Sequence, residues 1–153
     1  MNTVAMYAGS FDPFTRGHAD IVSRGLQLFD RVIIAIGVNE SKRSLFSPEQ
    51  RLQQIERYYA REPRVQVVTY TGLTVSFAQE HEVKFLLRGV RSSTDMEFER
   101  TLADLNRQIA GMETVLFPAS QQLTHISSTV VRELLHYGGD VASFLPEGFS
   151  LEV

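Results

Sequence analysis

Three observations on this 153-residue sequence predict an α/β fold: strand-like runs alternate with helical ones, no linker or repeat divides the chain, and the length suits one domain. Regular βα alternation calls for parallel strands joined by right-handed crossovers, with helices on both faces of the sheet. The expectation is a Rossmann-like five-stranded parallel sheet in the order 3-2-1-4-5, forming a single domain over residues 1–153. In that order strands one and four are neighbours where the winding reverses. Ligands of such sheets bind in the crevice outside the carboxyl ends of the strands there.

The strand-like runs are residues 3–8, 31–38, 65–70, 85–88 and 114–117. The helical runs are residues 17–29, 48–60, 75–80, 95–110 and 129–137. Ser47-Pro48-Glu49-Gln50 marks the second helix most clearly, with an N-cap serine, proline in the first turn and a capping-box glutamine three residues after the cap. In the fourth, Phe98, Leu102, Leu105 and Ile109 share one face and Glu99, Arg100 and Arg107 lie off it, a face that reads as core or as subunit contact, core being preferred. Gly138-Gly139 stops the fifth.

Hydrophobic residues make up 43% and charged residues 22%, ordinary values for a soluble globular chain. A net charge of −3 argues against a general nucleic-acid binder, which needs a basic footprint. There is no cysteine, hence no disulfide frame and no thiolate metal site. No apolar run approaches the ~20 residues of a membrane helix, and the N-terminus has no signal-like core, so a cytoplasmic protein is expected. Only two of the fifteen basic residues are lysines, which draws attention to Lys42.

Four loops carry chemistry. Gly9-Ser10-Phe11-Asp12-Pro13-Phe14-Thr15-Arg16-Gly17-His18 joins the first strand to the first helix and sets backbone amides, a hydroxyl and an imidazole at a helix N-terminus. Unpaired first-turn amides and the positive end of the helix dipole favour phosphate there. The loop lacks G-x-G-x-x-G and the P-loop pattern, so neither a dinucleotide fingerprint nor a Walker motif is present. Lys42 follows strand two on the ligand side, where a flexible ammonium can reach a phosphate. Arg88 and Arg91 flank a turn at Gly89-Val90 after strand four and offer forked donors to two phosphates. Ile126-Ser127-Ser128-Thr129 brings three hydroxyls to the start of the fifth helix, where they also serve as caps. His81 and His136 read as surface residues, and no histidine pair has zinc-like spacing.

With these residues in view, the chain resembles the bacterial phosphopantetheine adenylyltransferases, of the nucleotidyltransferase superfamily marked by an H-x-G-H motif. The likeness runs from Tyr7-Ala8-Gly9-Ser10-Phe11-Asp12-Pro13 to Phe144-Leu145-Pro146, and the motif has the T-x-G-H form, Thr15-Arg16-Gly17-His18. Ser41-Lys42, Leu87-Arg88-Gly89-Val90-Arg91, Asp95-Met96-Glu97-Phe98-Glu99 and Ile126-Ser127-Ser128-Thr129 match family motifs in order. Departures are Leu123-Thr124-His125, where relatives often carry an aromatic residue followed by Ser-Phe, and Phe98, where tyrosine is common.

The resemblance implies transfer of AMP from ATP to 4′-phosphopantetheine by direct in-line displacement, giving dephospho-coenzyme A and pyrophosphate. It implies catalytic roles for His18, Lys42, Arg91 and Ser10. ATP would meet Ser10, Phe11, His18, Gly89, Val90, Arg91 and Glu99, together with Leu123, Thr124, His125, Ile126, Ser127, Ser128 and Thr129. Phosphopantetheine would meet Ser10, Lys42, Leu73, Thr74 and Arg88. Mg²⁺ held mainly by the ATP phosphates, and a homohexamer, are implied in the same way, with no nucleic-acid or membrane partner. The alternatives are a nucleotidyltransferase for another phosphate acceptor and a non-catalytic ATP-binding regulatory module.

Overall fold

The computed structural model describes residues 2–152. Five strands, β1 (Val4–Gly9), β2 (Arg31–Gly37), β3 (Val65–Tyr70), β4 (Phe85–Val90) and β5 (Glu113–Pro118), form one parallel sheet in the order β3-β2-β1-β4-β5. Five helices connect or follow them: α1 (Arg16–Leu28), α2 (Pro48–Tyr58), α3 (Thr74–Glu80), α4 (Ser93–Ala110) and α5 (Ser128–His136). Short 3-10 turns occur at Gln121–Leu123 and Ala142–Phe144. Strand order and helix placement are as the alternating pattern predicts.

β1 and β2 are buried along almost their whole length, which is why their sequences are near-continuous apolar runs and do not alternate with polar residues. Ala5, Tyr7, Ile34 and Ile36 face a layer containing Ile21, Val22 and Ile55 of α1 and α2. Met6, Ala8, Ile33 and Ala35 face the opposite way, onto Val75 and Ala78 of α3 and Ala110 of α4. Each fully buried valine, isoleucine or methionine in these layers contributes about 1.5–3 kcal/mol, and each alanine less. Past α5 the chain returns across α2: Gln54 Nε2 donates to the Leu151 carbonyl (3.0 Å) and Arg57 to that of Glu152 (2.8 Å). This seats Phe149 against Phe14, with ring centroids 5.8 Å apart.

The capping box of α2 forms as read, with Gln50 N–H donating to Ser47 Oγ (3.1 Å) and Ser47 N–H to Gln50 Oε1 (2.9 Å). Two expectations are corrected. β4 runs past residue 88, so Gly89 pairs with Phe117 inside the sheet and belongs to no turn. A Cβ on Gly89 would stand 3.2 Å from Ile21 Cδ1, so α1 packs closely on β4 there and a larger residue would push Ile21 aside by a few tenths of an ångström. The apolar face of α4 is not core: Phe98 is 62%, Leu105 48% and Ile109 56% exposed. The helix instead turns Glu99 inward, because the carboxylate has a buried-side partner in Arg88.

Gly25 shows how tightly α1 seats on β4. A Cβ there would lie 2.6 Å from Cδ1 of Leu87, a side chain with no room to swing in a fully buried layer. Alanine improves helix propensity by up to about 1 kcal/mol, whereas overpacking a core costs about 1–3 kcal/mol. Gly25→Ala should therefore lower the free energy of unfolding measured by urea denaturation, and Gly25→Val should lower it further.

Candidate active site

The loop after β1 is built around aromatic packing. Phe11 takes a positive φ of 50°, costly for a residue with a Cβ, and its ring sits between Tyr7 (5.2 Å), Phe14 (5.7 Å) and His18 (5.0 Å). Thr15 then caps α1, with His18 as the reciprocal partner of the capping box. The Thr15 N–H donates to His18 Nδ1 at 3.0 Å. A backbone amide only donates, so Nδ1 is the acceptor and the neutral imidazole carries its hydrogen on Nε2. Burial lowers the His18 pKa from 6.5 to about 3, with smaller contributions from the Arg91 and Arg88 charges. At neutral pH the site therefore presents an uncharged N–H donor beside the first-turn amides of Arg16 and Gly17, which a helix leaves without internal partners.

Arg88 ends its guanidinium in a two-pronged pair with Glu99, Nε to Oε2 at 2.9 Å and Nη2 to Oε1 at 2.7 Å, while Nη1 donates to the Ala8 carbonyl at 2.9 Å. The pair with Glu99 holds the Arg88 pKa above its ordinary value, against the effect of burial. Three of five donors are used, which leaves two N–H groups. Arg91 Nη1 donates to the Ile126 carbonyl (3.1 Å), and its backbone amide donates to Asp95 Oδ2 (3.0 Å). Lys42 lies in an exposed loop and makes no ion pair among the described residues.

These groups line one cleft of about 660 Å³ at the carboxyl ends of the strands. Ser10, Phe11 and His18 come from the β1 loop, Lys42 from the β2 loop, and Arg88, Gly89, Val90 and Arg91 from β4 and its end. Glu99 of α4, Leu123, and Ile126, Ser127, Ser128 and Thr129 complete the predicted members present. Ser127 Oγ also caps α5, and Ser128 Oγ donates to the Pro13 carbonyl (2.7 Å), so the capping role and a place in the cleft coexist.

Four predicted residues lie elsewhere. Thr74 bonds Tyr70 (2.7 Å) and lines a smaller adjoining hollow with Arg88, Glu99 and Asn106. Leu73 precedes α3 and is 68% exposed. Thr124 and His125 point outward, because the turn they form after the 3-10 segment folds Ile126 N–H back onto the Leu123 carbonyl (3.0 Å) and buries Ile126 in their place. The cleft also includes Tyr7, Asp20, Tyr70 and Asp95, to which the sequence reading gave no role in the site. Asp20, one turn into α1, accepts from Arg24 (3.3 Å) and Ser120 (3.0 Å). Burial raises the pKa of the Tyr7 phenol well above its ordinary range. Among the described residues no group of three or more His, Asp or Glu is placed to hold a metal ion.

Residues 6–134 match the family model described as cytidylyltransferase-like. A phosphopantetheine adenylyltransferase from Porphyromonas gingivalis is 58% identical over 149 residues, covering 97% of each chain. One from Phocaeicola vulgatus is 49% identical over 148 residues, covering 97% of this chain and 98% of the relative. Among solved structures, a candidate nicotinate-nucleotide adenylyltransferase from Vibrio parahaemolyticus superposes with a TM-score of 0.70 at 18% identity, covering 96% of each chain. At that identity the likeness bears on the fold alone.

The state of His18 is open to direct measurement. Nitrogen-detected NMR at pH 5 should show the neutral Nε2–H tautomer, with protonation only near pH 3. In the unfolded chain the same ring takes up its proton near 6.5. Between these values the unfolded state holds more protons, so His18 makes stability fall as pH is lowered through this window. His18→Gln should flatten that part of a pH–stability curve, and an unchanged slope would contradict the assignment.

Proposed function

The chain belongs to the cytidylyltransferase-like nucleotidyltransferases and, within them, to the phosphopantetheine adenylyltransferases, and on that premise we propose that it moves AMP from ATP to 4′-phosphopantetheine. The products are dephospho-coenzyme A and pyrophosphate, a step of coenzyme A biosynthesis. One observation carries the mechanism: Lys42, Arg88, Arg91 and the neutral Nε2–H of His18 surround a single cleft at the switch point between β1 and β4.

The acceptor phosphate is already an anion and needs no general base. One of its oxygens attacks the α-phosphorus of ATP. As that bond forms, the bond from the α-phosphorus to the oxygen bridging to the β-phosphate breaks, and pyrophosphate leaves in line, taking the electron pair of that bond and one further negative charge. What the protein supplies is placement and stabilisation of charge. His18 Nε2–H and the α1 amides face the α-phosphate, where charge accumulates. Lys42 and the free donors of Arg88 hold the acceptor phosphate, with Ser10 between the two anions. Arg91 takes the β and γ phosphates. Glu99 holds Arg88 in line as well as bounding the nucleotide side.

Leu73 and Thr74, at the start of α3, are assigned to the far arm of phosphopantetheine. Phe11, Gly89, Val90 and the turn of Leu123, Thr124, His125, Ile126, Ser127, Ser128 and Thr129 are assigned to ATP. Mg²⁺ is the expected cofactor, supplying charge neutralisation between phosphates. Asp20, Asp95 and Glu99 already accept from Arg24, Arg91 and Arg88, which leaves phosphate oxygens and water as its main ligands. A homohexamer is proposed too, supported by the exposed Phe98, Leu105 and Ile109 of α4, a face suited to another copy. No helix among the described residues is long and apolar enough to cross a membrane, and we place the enzyme in the cytoplasm.

Pyrophosphate release compared across acceptors tests the reaction. Phosphopantetheine should support turnover, and nicotinamide mononucleotide and glycerol 3-phosphate should not. Tight ATP binding without release for any acceptor would mark a regulatory module instead. His18→Ala should lower kcat by about 10²–10³-fold, the usual loss of one donor to a developing oxyanion, with little change in ATP affinity. Parallel losses in binding and turnover would make His18 a ground-state contact.

A further inference from the structure

Arg51 of α2 is a charged residue with no place in the cleft, yet it is only 3% exposed. Its guanidinium spends its donors on three backbone carbonyls from different segments. Nη1 donates to Ser10 (2.6 Å) and Gly37 (3.3 Å), and Nε donates to Phe46 (3.2 Å). Gly37 ends β2, and Phe46 directly precedes the cap of α2. The segment between them, with residues 39–45 exposed, is the loop that carries Lys42. One side chain therefore closes both stems of the Lys42 loop and ties them to the peptide of Ser10.

Asp12 completes the tie from the opposite side. Its carboxylate accepts from the amides of Leu45 (2.8 Å) and Phe46 (2.9 Å), and it is 5% exposed. Phe46 is thus held at both its N–H and its carbonyl, by groups of opposite charge that offset each other's burial. The tip of the loop has only local bonds: Lys42 N–H to the Asn39 carbonyl (3.0 Å), and Ser41 to the Asn39 side chain.

We propose that Arg51 is a positioning residue for the acceptor side of the reaction, setting the spacing between Ser10 and Lys42 by clamping the two stems of the Lys42 loop to the β1 loop. It touches neither substrate. The effect falls chiefly on the acceptor side because Lys42 rides on the clamped loop, whereas the β1 loop, whose Ser10 serves both anions, is also held by Phe11 packing on Tyr7, Phe14 and His18, and Arg91 is tied to Ile126 by a separate bond. The inference rests on the reading of Ser10 and Lys42 as acceptor-phosphate groups.

The test is steady-state kinetics of the full chain with ATP and phosphopantetheine varied separately, for Arg51→Lys, Arg51→Gln, Lys42→Ala and the double variants. Misplacing a reacting group by about an ångström can cost up to about 10²-fold, so kcat/KM for phosphopantetheine should drop about 10- to 100-fold in Arg51→Gln. KM for ATP should stay within about twofold of the parent. Arg51→Lys keeps the charge but cannot reach all three carbonyls, and should fall between the two. In the Lys42→Ala background the Arg51 substitutions should have little further effect on the acceptor. Equal loss towards both substrates, or losses that multiply with Lys42→Ala, would show a merely structural role and overturn the proposal. If Arg51→Gln does not fold, Arg51→Lys decides by the same criteria. A parent enzyme that does not use phosphopantetheine, or a Lys42→Ala variant with unchanged acceptor kinetics, would instead remove the functional reading beneath it.

Discussion

The hydrogen bond from the Thr15 amide to His18 Nδ1 is where folding and chemistry share one contact. It pairs an amide at the helix entry and so fixes where α1 starts. It also fixes which ring nitrogen carries the hydrogen, and it aims that nitrogen at the crevice. A charged imidazole would require removing that contact, since Nδ1 would then become a donor facing another donor. Stacking on Phe14 (5.5 Å), itself backed by Phe149, leaves the ring little freedom to turn. The donor is thus oriented before any ligand arrives, which is what stabilising a developing charge demands.

Around this contact the site is assembled from loops rather than from one element, and each loop is held by a polar strut, buried at Arg51, Asp12 and Glu99 and open to solvent at Arg91. Arg51 and Asp12 lash the Lys42 loop to the β1 loop, and Arg132 Nη1 donates to the Asp12 carbonyl (2.8 Å) from α5. Arg91 reaches across to the Ile126 carbonyl. Arg88 is kept in line by Glu99 and the Ala8 carbonyl. Left unpaired, the buried members Arg51, Asp12 and Glu99 would each cost several kcal/mol, which is why each meets its partners inside the fold rather than in solvent.

The sheet order was legible because β1 and β2 are apolar along their length and α2 announces its start with Ser47, Pro48 and Gln50. The loops bearing Ser10, His18, Lys42, Arg88 and Arg91 were legible because their residue types suit phosphate and the fold brings strand ends together. The orientation of α4 was not legible. Periodicity does not separate core from subunit contact for the apolar stripe, and it is the pairing with Arg88, eleven residues earlier on β4, that draws Glu99 inward. Arg51 and Gln54 were hidden for the same reason: a polar residue reads as solvated until the carbonyls that receive it are known. The outward position of Thr124 and His125 follows from a local 3-10 turn that leaves no periodic trace, and Leu73 was carried by resemblance alone.

Glu99 has a wider consequence when the walls are taken together. Among the described residues lining the cleft, the basic side chains are Lys42, Arg88 and Arg91, and the acidic ones are Asp20, Asp95 and Glu99. With the imidazole uncharged, the far field of the cavity nearly cancels, so a polyanion passing at a distance feels little pull. Recognition then begins only at contact range, where each donor meets one oxygen. Such a pocket would discriminate by fit rather than by attraction at a distance.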